Sequence, residues 1–264
     1  MYDFVYQKPT NIADAVSLLG GDPEAKPLAG GHTFIPILKQ RLSRPSVVVD
    51  LAALGLTGIS VSGPVLTIGA MSTHATVAAS PEVNKAIPAL AHLASMIGDR
   101  AVRSRGTIGG SVANNDPASC YPAAVLALAA TIKTDRREIA ADDFFQGMFT
   151  TALEQGEIIT AVSFPIPEKA AYGKFRNPAS RYPMVGVFVA KGPKGVRVAV
   201  TGAGQKGVFR HTAFEAALTK SWSADALDGI ATPADDLNGD IHASAAYRAH
   251  LIGVMARRAV QAAG

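Results

Sequence analysis

Arg105-Gly-Thr-Ile-Gly-Gly-Ser-Val-Ala-Asn-Asn-Asp-Pro117, followed at once by the apolar run from Tyr121 to Ile132, decides how this chain is read. Gly106, Gly109 and Gly110 fall within five residues, so the backbone there can take positive φ and approach a ligand with no side chain between. Such a loop can turn several N–H groups toward one anion. Ser111, Asn114 and Asn115 can hydrogen-bond a phosphate or a sugar, and Asp116 can accept from a ribityl or ribose hydroxyl. Taken alone, the stretch also reads as an ordinary glycine-rich turn ahead of a helix.

A second stretch of the same build strengthens the ligand reading. Lys26-Pro-Leu-Ala-Gly-Gly-His-Thr33 has a short apolar lead, the Gly30-Gly31 pair and polar His32-Thr33, and then runs into a helix-like segment at Ile35 to Gln40. Amides at a helix start lack intrahelical partners and lie at the positive end of the dipole, which makes them an anion site. Two such loops can grip the two ends of a dinucleotide. Neither matches GxGxxG or GxxxxGK[ST], which excludes a Rossmann fingerprint and a P-loop.

These two motifs carry a resemblance. Ala29-Gly-Gly-His-Thr33 and Thr107-Ile-Gly-Gly-Ser111, with Asp116-Pro117 after the second, resemble the FAD-binding medium subunit of molybdenum hydroxylases, the group of aerobic carbon monoxide dehydrogenase and xanthine dehydrogenase. Ile68-Gly-Ala70, Thr73-His74, Val102-Arg103, Gly156-Glu-Ile-Ile159, Tyr247-Arg248 and Arg257-Arg258 extend it over essentially the whole chain. The resemblance implies FAD as cofactor, held in a PCMH-like domain. It assigns Lys26, Pro27 and Leu28 to the cofactor-binding stretch and Ala29, Gly30, Gly31, His32 and Thr33 to the pyrophosphate. It assigns Thr107, Ile108, Gly109, Gly110 and Ser111 to phosphate and ribityl, with Asp116 beside them, Ile159 as an aliphatic backbone contact to the flavin, and Arg176 as a basic contact. Where many family members place an Asp, this chain has Cys120, which cannot accept hydrogen bonds as a carboxylate does.

The same resemblance implies partners. A small subunit would carry [2Fe-2S] clusters and a large one the molybdenum cofactor, in a dimer of three-subunit units. The flavin would pass electrons to NAD, a quinone or oxygen. A flavin brings its own redox chemistry, so no side-chain nucleophile or acid–base pair is required, and none is identifiable here. Two other readings stay open: a free-standing FAD-dependent oxidoreductase with its own pocket, which predicts turnover by the isolated chain, and a non-catalytic module, which predicts a colourless one.

Composition sets the outer limits. At 264 residues, 48% hydrophobic and 17% charged, the chain reads as globular with more than one domain. Its net charge of +4 is spread in small groups and only 6% of residues are aromatic, which argues against a nucleic-acid groove. Arg103 and Arg105 are the exceptions expected to bring positive charge to a pyrophosphate. A single Cys120 excludes an internal disulfide and a self-contained iron–sulfur cluster. No His/Cys spacing suggests a metal site. The start at Met1-Tyr-Asp-Phe4 has no export pattern, and no run is long enough to span a bilayer, so a cytoplasmic location is expected.

The pattern predicts an α+β chain. Residues 1–167 form the FAD-binding domain in two subdomains, about 1–55 and 56–167, and residues 168–264 form a domain of antiparallel sheet backed by helices. Thr10 is the expected cap of a first helix, Val47–Asp50 a buried strand, and Ile59–Ser62 with Val65–Ile68 a hairpin. Ala-rich helices at Thr76–Ala79 and Ile87–Ile97 are broken at Pro81 and Pro88, and Ala123–Ile132 reads as a buried helix. Pro165 and Pro167 mark the domain boundary. In the last helix, Tyr247, Leu251, Val254, Met255 and Ala259 form the packed side while Arg248, Arg257 and Arg258 stay wet. Asp142-Asp143 and Asp235-Asp236 read as solvated loops or caps.

Overall fold

Three β-branched residues in a row, Val47-Val-Val49, centre the first lobe of the computed structural model, which describes residues 1–264. Strand β1 (Val5–Gln7), helix α1 (Ile12–Gly20), strand β2 (Lys26–Leu28), helix α2 (Phe34–Lys39) and strand β3 (Val47–Asp50) follow one another. The strands form a parallel sheet in the order β1-β3-β2, with Val48 and Val49 buried. Helix α1 is capped one residue later than expected: the Asn11 side chain, not Thr10, accepts from the Asp14 amide. Either residue type caps well, and the choice is set by where the extended chain leaves β1.

The middle lobe is an antiparallel sheet covered on one face by helices. The hairpin forms as expected from β4 (Ile59–Ser62) and β5 (Val65–Gly69). Helices α3 (His74–Ala79), α4 (Pro81–Ala86), α5 (Pro88–Ser95), α6 (Arg100–Arg105), α7 (Ile108–Asn114) and α8 (Tyr121–Ala127) come next. Pro81 and Pro88 start α4 and α5 rather than interrupting one helix, because the first helical position needs no N–H donor. Then come β6 (Thr131–Thr134), β7 (Glu138–Ala140), α9 (Ala141–Phe144), β8 (Phe145–Gly147), β9 (Thr150–Thr151) and β10 (Ile159–Pro165). The five-stranded order is β4-β5-β10-β6-β7, and β8 and β9 pair separately.

The apolar run that reads as one helix through Ile132 is shorter. Helix α8 stops at Ala127, Ala129 takes φ +50°, and the Ala130 amide reaches back to Val125 O. That bond satisfies a terminal carbonyl and turns the chain into β6. An alanine in the left-handed region gave no glycine to signal it.

The last lobe is the antiparallel sheet of β11 (Lys169–Arg176), β12 (Pro183–Gly192), β13 (Gly195–Thr201) and β14 (Phe209–Arg210), with α10 (Thr212–Lys220) and α11 (Ala245–Ala263) on one face. The alternation of β12 divides it. Val185, Val187 and Val189 join the core under α10 and α11, while Phe188 and Ala190 join Tyr172 and Ala199 in the core of the middle lobe. The sheet is therefore buried on both faces.

One reading of the charged residues needs correction and another completion. Arg248 is buried, and its guanidinium donates to Met184 O and Gly202 O and pairs with Asp240, whereas Tyr247 is half exposed. One helical step separates them, so a stripe drawn one residue out exchanges their roles. Asp142 is exposed in the first turn of α9, but it is also paired, with Arg197, whose Nε donates to Leu126 O at the end of α8. This pairing holds its carboxyl below the usual range and joins the last lobe to the middle one.

Candidate functional site

The three lobes meet around an open cavity of about 420 Å³, within the range of small-molecule sites. The first lobe contributes Lys26, Pro27, Ala29, Gly30, Gly31, His32 and Thr33. The middle lobe contributes Thr107, Gly109, Gly110, Ser111, Asp116, Cys120, Ile158 and Ile159. Lys174, Ser180, Arg181, Tyr182 and Pro183 close it from the last lobe. Leu28, Ile108 and Arg176 do not line it: Leu28 lies beneath Gly31, Ile108 is fully buried in the middle core, and Arg176 is exposed beyond the irregularity that ends β11.

The first glycine loop is short of protein partners. The amides of Gly30, Gly31, His32 and Thr33 donate to no backbone or side-chain acceptor, and they sit where β2 gives way to α2. Gly31 holds φ +78°, a conformation that glycine adopts without penalty. Gly30 is required by packing instead: a Cβ there would lie 2.2 Å from the carbonyl oxygen of Arg105. The two glycine motifs therefore touch, with Ala29 facing Gly110 and Gly30 pressed on Arg105-Gly106.

The second loop behaves differently from the expectation of exposed amides. Ile108 N donates to Ser72 O, Gly109 N to Ala70 O, Gly110 N to Thr107 Oγ1 and Ser111 N to Thr107 O. All four are satisfied within the protein because Thr107 caps α7 and the loop packs on the end of β5. Gly109 and Gly110 border the cavity, but packing requires them, since a Cβ would meet Ala70 or the Thr107 hydroxyl; what the loop offers the cavity is the hydroxyl of Ser111 and the carboxylate of Asp116. Ser111 Oγ lies 3.0 Å from Ser119 Oγ, and Asp116 accepts from the Ala118 amide.

His74 ties this loop to the helices. Its amide donates to Gly106 O and its ring lies against Gly106, leaving no room for a Cβ there. Burial, and then the nearby His32 and Arg103, lowers its pKa to about 4, so the ring is neutral at physiological pH. Arg103 does not bring charge to the cavity: its guanidinium donates to Ile97 O and Gly98 O. Neither Arg103 nor Arg105 lines the site.

On the opposite wall, Glu157 anchors the turn before β10. It accepts from Arg137, from Thr134 and from the Glu154 amide. The Arg137 bonds hold its carboxyl down at about 2. That anchor fixes Ile158 and Ile159 against the cavity. Besides Lys26 from the first lobe, the last lobe brings Lys174 and Arg181 to the wall, both of which sequence reasoning missed. Lys174 is the more tightly held. Its Nζ donates to Met96 O at 2.9 Å and lies 3.4 Å from the buried Cys120 Sγ. Strand periodicity could have found it, since Lys174 shares a face with Tyr172, which packs into the middle core.

Chemically, this is a binding site: free amides for an anion, polar groups for hydroxyls, apolar walls from Ile37, Leu51, Ile97 and Leu153, and the cations Lys26, Lys174 and Arg181. No cluster of His, Cys, Asp or Glu could hold a metal ion.

Comparison with known proteins follows the same lines. The profile of the family described as FAD binding domain in molybdopterin dehydrogenase matches residues 2–167. The nicotine 6-hydroxylase medium subunit of Paenarthrobacter nicotinovorans is 36% identical, over 98% of this chain and 96% of its own. The carbon monoxide dehydrogenase medium chain of Afipia carboxidovorans is 35% identical over the same shares. Among solved structures, reconstituted CO dehydrogenase from Oligotropha carboxidovorans superposes with a TM-score of 0.90 at 34% identity, covering 99% of this chain and 97% of that one. Quinoline 2-oxidoreductase from Pseudomonas putida gives 0.87 at 29% identity, covering 99% and 96%.

Proposed function

The chain belongs to the FAD-binding domains of molybdopterin dehydrogenases, and from that premise we propose that it is the electron outlet of a three-component molybdenum hydroxylase. It is an oxidoreductase subunit whose cofactor is FAD. Its partners in this reading are a small [2Fe-2S] subunit that delivers electrons and a large subunit with the molybdenum cofactor, in a dimer of heterotrimers. The acceptor is NAD, a quinone or oxygen. No helix is long and apolar enough to cross a membrane, and the reading puts the complex in the cytoplasm.

One observation carries the cofactor assignment to this cavity: the four unpartnered amides of Gly30 to Thr33 at the head of α2. Gly30 and Gly31 are half-buried, where an amide without an acceptor is costly, and His32 and Thr33 are exposed at the mouth; a pyrophosphate supplies acceptors with the charge that the position favours. Thr33 Oγ1 is free to join them, since it makes no cap bond. Gly109 and Gly110 border the ligand, and Ser111 and Asp116 meet its hydroxyls. Ile159 contributes an aliphatic backbone contact. The basic contact expected of Arg176 falls to Lys174, which reaches the wall where Arg176 does not. When bound, FAD supplies the electron chemistry, and this chain's residues hold it, orient it and set the charge around it.

The test is the visible spectrum of the chain purified alone and co-expressed with its partner chains, followed by release and identification of any flavin. We expect about one FAD per chain, with iron–sulfur absorption added only on co-expression. A colourless chain that refuses added FAD overturns the assignment.

A further inference from the structure

The cofactor reading leaves Cys120, the chain's only cysteine, without a role. Its side chain is packed into the core of the middle lobe and is 4% exposed, yet it lines the cavity. The sulfur is therefore sealed from the outer surface and open only through the cavity. A thiol kept for its bulk alone would be met by apolar groups. Two polar donors converge on this one instead.

The first is Lys174. Its Nζ spends one N–H on Met96 O at 2.9 Å and lies 3.4 Å from Cys120 Sγ. An ammonium has three donors, and a thiol sulfur is a weak acceptor for them. The second is Tyr172, on the same face of β11. Its hydroxyl lies beside the same sulfur but is not aligned for a hydrogen bond to it, and it has no other partner. The residue is 5% exposed, and a buried O–H without an acceptor is costly. Burial pushes its pKa well above the ordinary value, so the group stays a donor. Packing fixes its place: on the paired strand β12, a Cβ at Gly186 would lie 2.4 Å from the hydroxyl oxygen. An oxygen atom bonded to Sγ would give both donors the acceptor that sulfur does not.

We propose that Cys120 is a modification site for hydrogen peroxide, oxidised to a sulfenic acid when the cavity is empty and shielded when the cofactor fills it, with Lys174 and Tyr172 holding the new oxygen. The sulfur attacks one peroxide oxygen, an S–O bond forms and the O–O bond breaks. Sulfur gives up two electrons, and the departing hydroxide takes the thiol proton and leaves as water. The chain has no second cysteine to condense with the product, so the oxidised state lasts until an external thiol reduces it. The shielding rests on the placement of FAD in this cavity, and the oxidation does not.

The test treats the full-length chain with hydrogen peroxide, with and without bound FAD, and analyses the Cys120 peptide by mass spectrometry, using dimedone to trap sulfenic acid. The native flavin-free chain is expected to form the one-oxygen product without urea, and the FAD-loaded chain to form it at least tenfold more slowly. Lys174→Met and Tyr172→Phe each remove one donor to the new oxygen. In both, the ratio of sulfenic to sulfinic acid is expected to fall severalfold. A thiol that resists peroxide until urea unfolds the chain overturns the proposal, and so does an unchanged product ratio in both variants. Equal oxidation with and without bound FAD overturns the shielding, and with it the placement of FAD in this cavity. A chain that takes up no FAD overturns the cofactor assignment and the shielding together, while the flavin-free chain and its two variants still decide the oxidation.

Discussion

At the scale of single residues, the two glycine motifs were legible and their division of labour was not. Sequence spacing cannot show that one loop keeps its amides free while the other spends them on Ser72, Ala70 and Thr107, because those acceptors arrive from β5 and the turn after it. Nor could it show that Gly30 is a packing residue. Gly30→Ala forces a Cβ onto the Arg105 carbonyl, and overpacking of this kind costs about 1–3 kcal/mol. We expect the unfolding free energy from urea titration to fall by that amount and bound FAD to be lost, because the free amides move with the loop. His74 makes a second prediction. Its folded pKa of about 4 lies below its ordinary 6.5, so the unfolded chain binds its proton first. Its contribution is whole above pH 6.5 and is lost as pH falls toward 4, amounting to about 2 kcal/mol between pH 7 and pH 5. His211, held low by burial, adds a loss of the same sign. Glu157 acts in a lower window, from its ordinary 4.5 down to about 2. Urea titrations of wild type and His74→Gln at pH 7 and pH 5 check this: the variant is expected to lose the His74 share of the slope and keep the remainder.

At the scale of elements, strands and the hairpin of β4 and β5 were readable because period-2 patterns and turn residues are local signals. Helix phase and helix ends were not. Helix α11 carries apolar residues on more than one side, so a packed stripe could be drawn through Tyr247 as easily as through Arg248. What decides it is tertiary: the carbonyls of Met184, at the start of β12, and Gly202, just past the end of β13, need donors, and a guanidinium presents a fork of them. Arg248→Leu removes the donors of both carbonyls and leaves Asp240 only the His242 and Ala243 amides. Asp240 is half exposed, so the cost lies with the carbonyls: leaving a buried acceptor without its donor costs about 1–3 kcal/mol. The expected result is a fall in unfolding free energy of that size, without loss of FAD per folded chain, since Arg248 lies away from the cavity. Cofactor loss in the still-folded variant, or a cost under about 1 kcal/mol, would show that Arg248 holds something else.

At the scale of the whole molecule, the boundary expected at Pro165–Pro167 separates lobes that share a core. Tyr172, Phe188, Ala190 and Ala199 belong to the last sheet by chain position and to the middle lobe by packing, and Arg197 crosses between them to Asp142 and Leu126 O. The near-continuous apolar run Met184-Val-Gly-Val-Phe-Val-Ala190 was the available signal, since a strand with one wet face alternates and one buried on both faces does not. The cavity has the same dependence, because its basic wall at Lys174 comes from the last lobe. A chain ended after Pro167 would uncover the faces of α5 and α8 that the sheet now covers. Burying a Phe or a similar side chain is worth about 1.5–3 kcal/mol, so Tyr172 and Phe188 alone, before the alanines, are a large share of a domain's marginal stability. We therefore expect residues 1–167 alone to show no cooperative thermal transition and to retain no FAD, while the intact chain unfolds in one transition whose midpoint rises with added FAD. Calorimetry of both would decide the matter: a truncated chain that melts cooperatively and binds flavin would mean that the last lobe is an appendage, and that Lys174 contributes nothing that the first two lobes cannot supply.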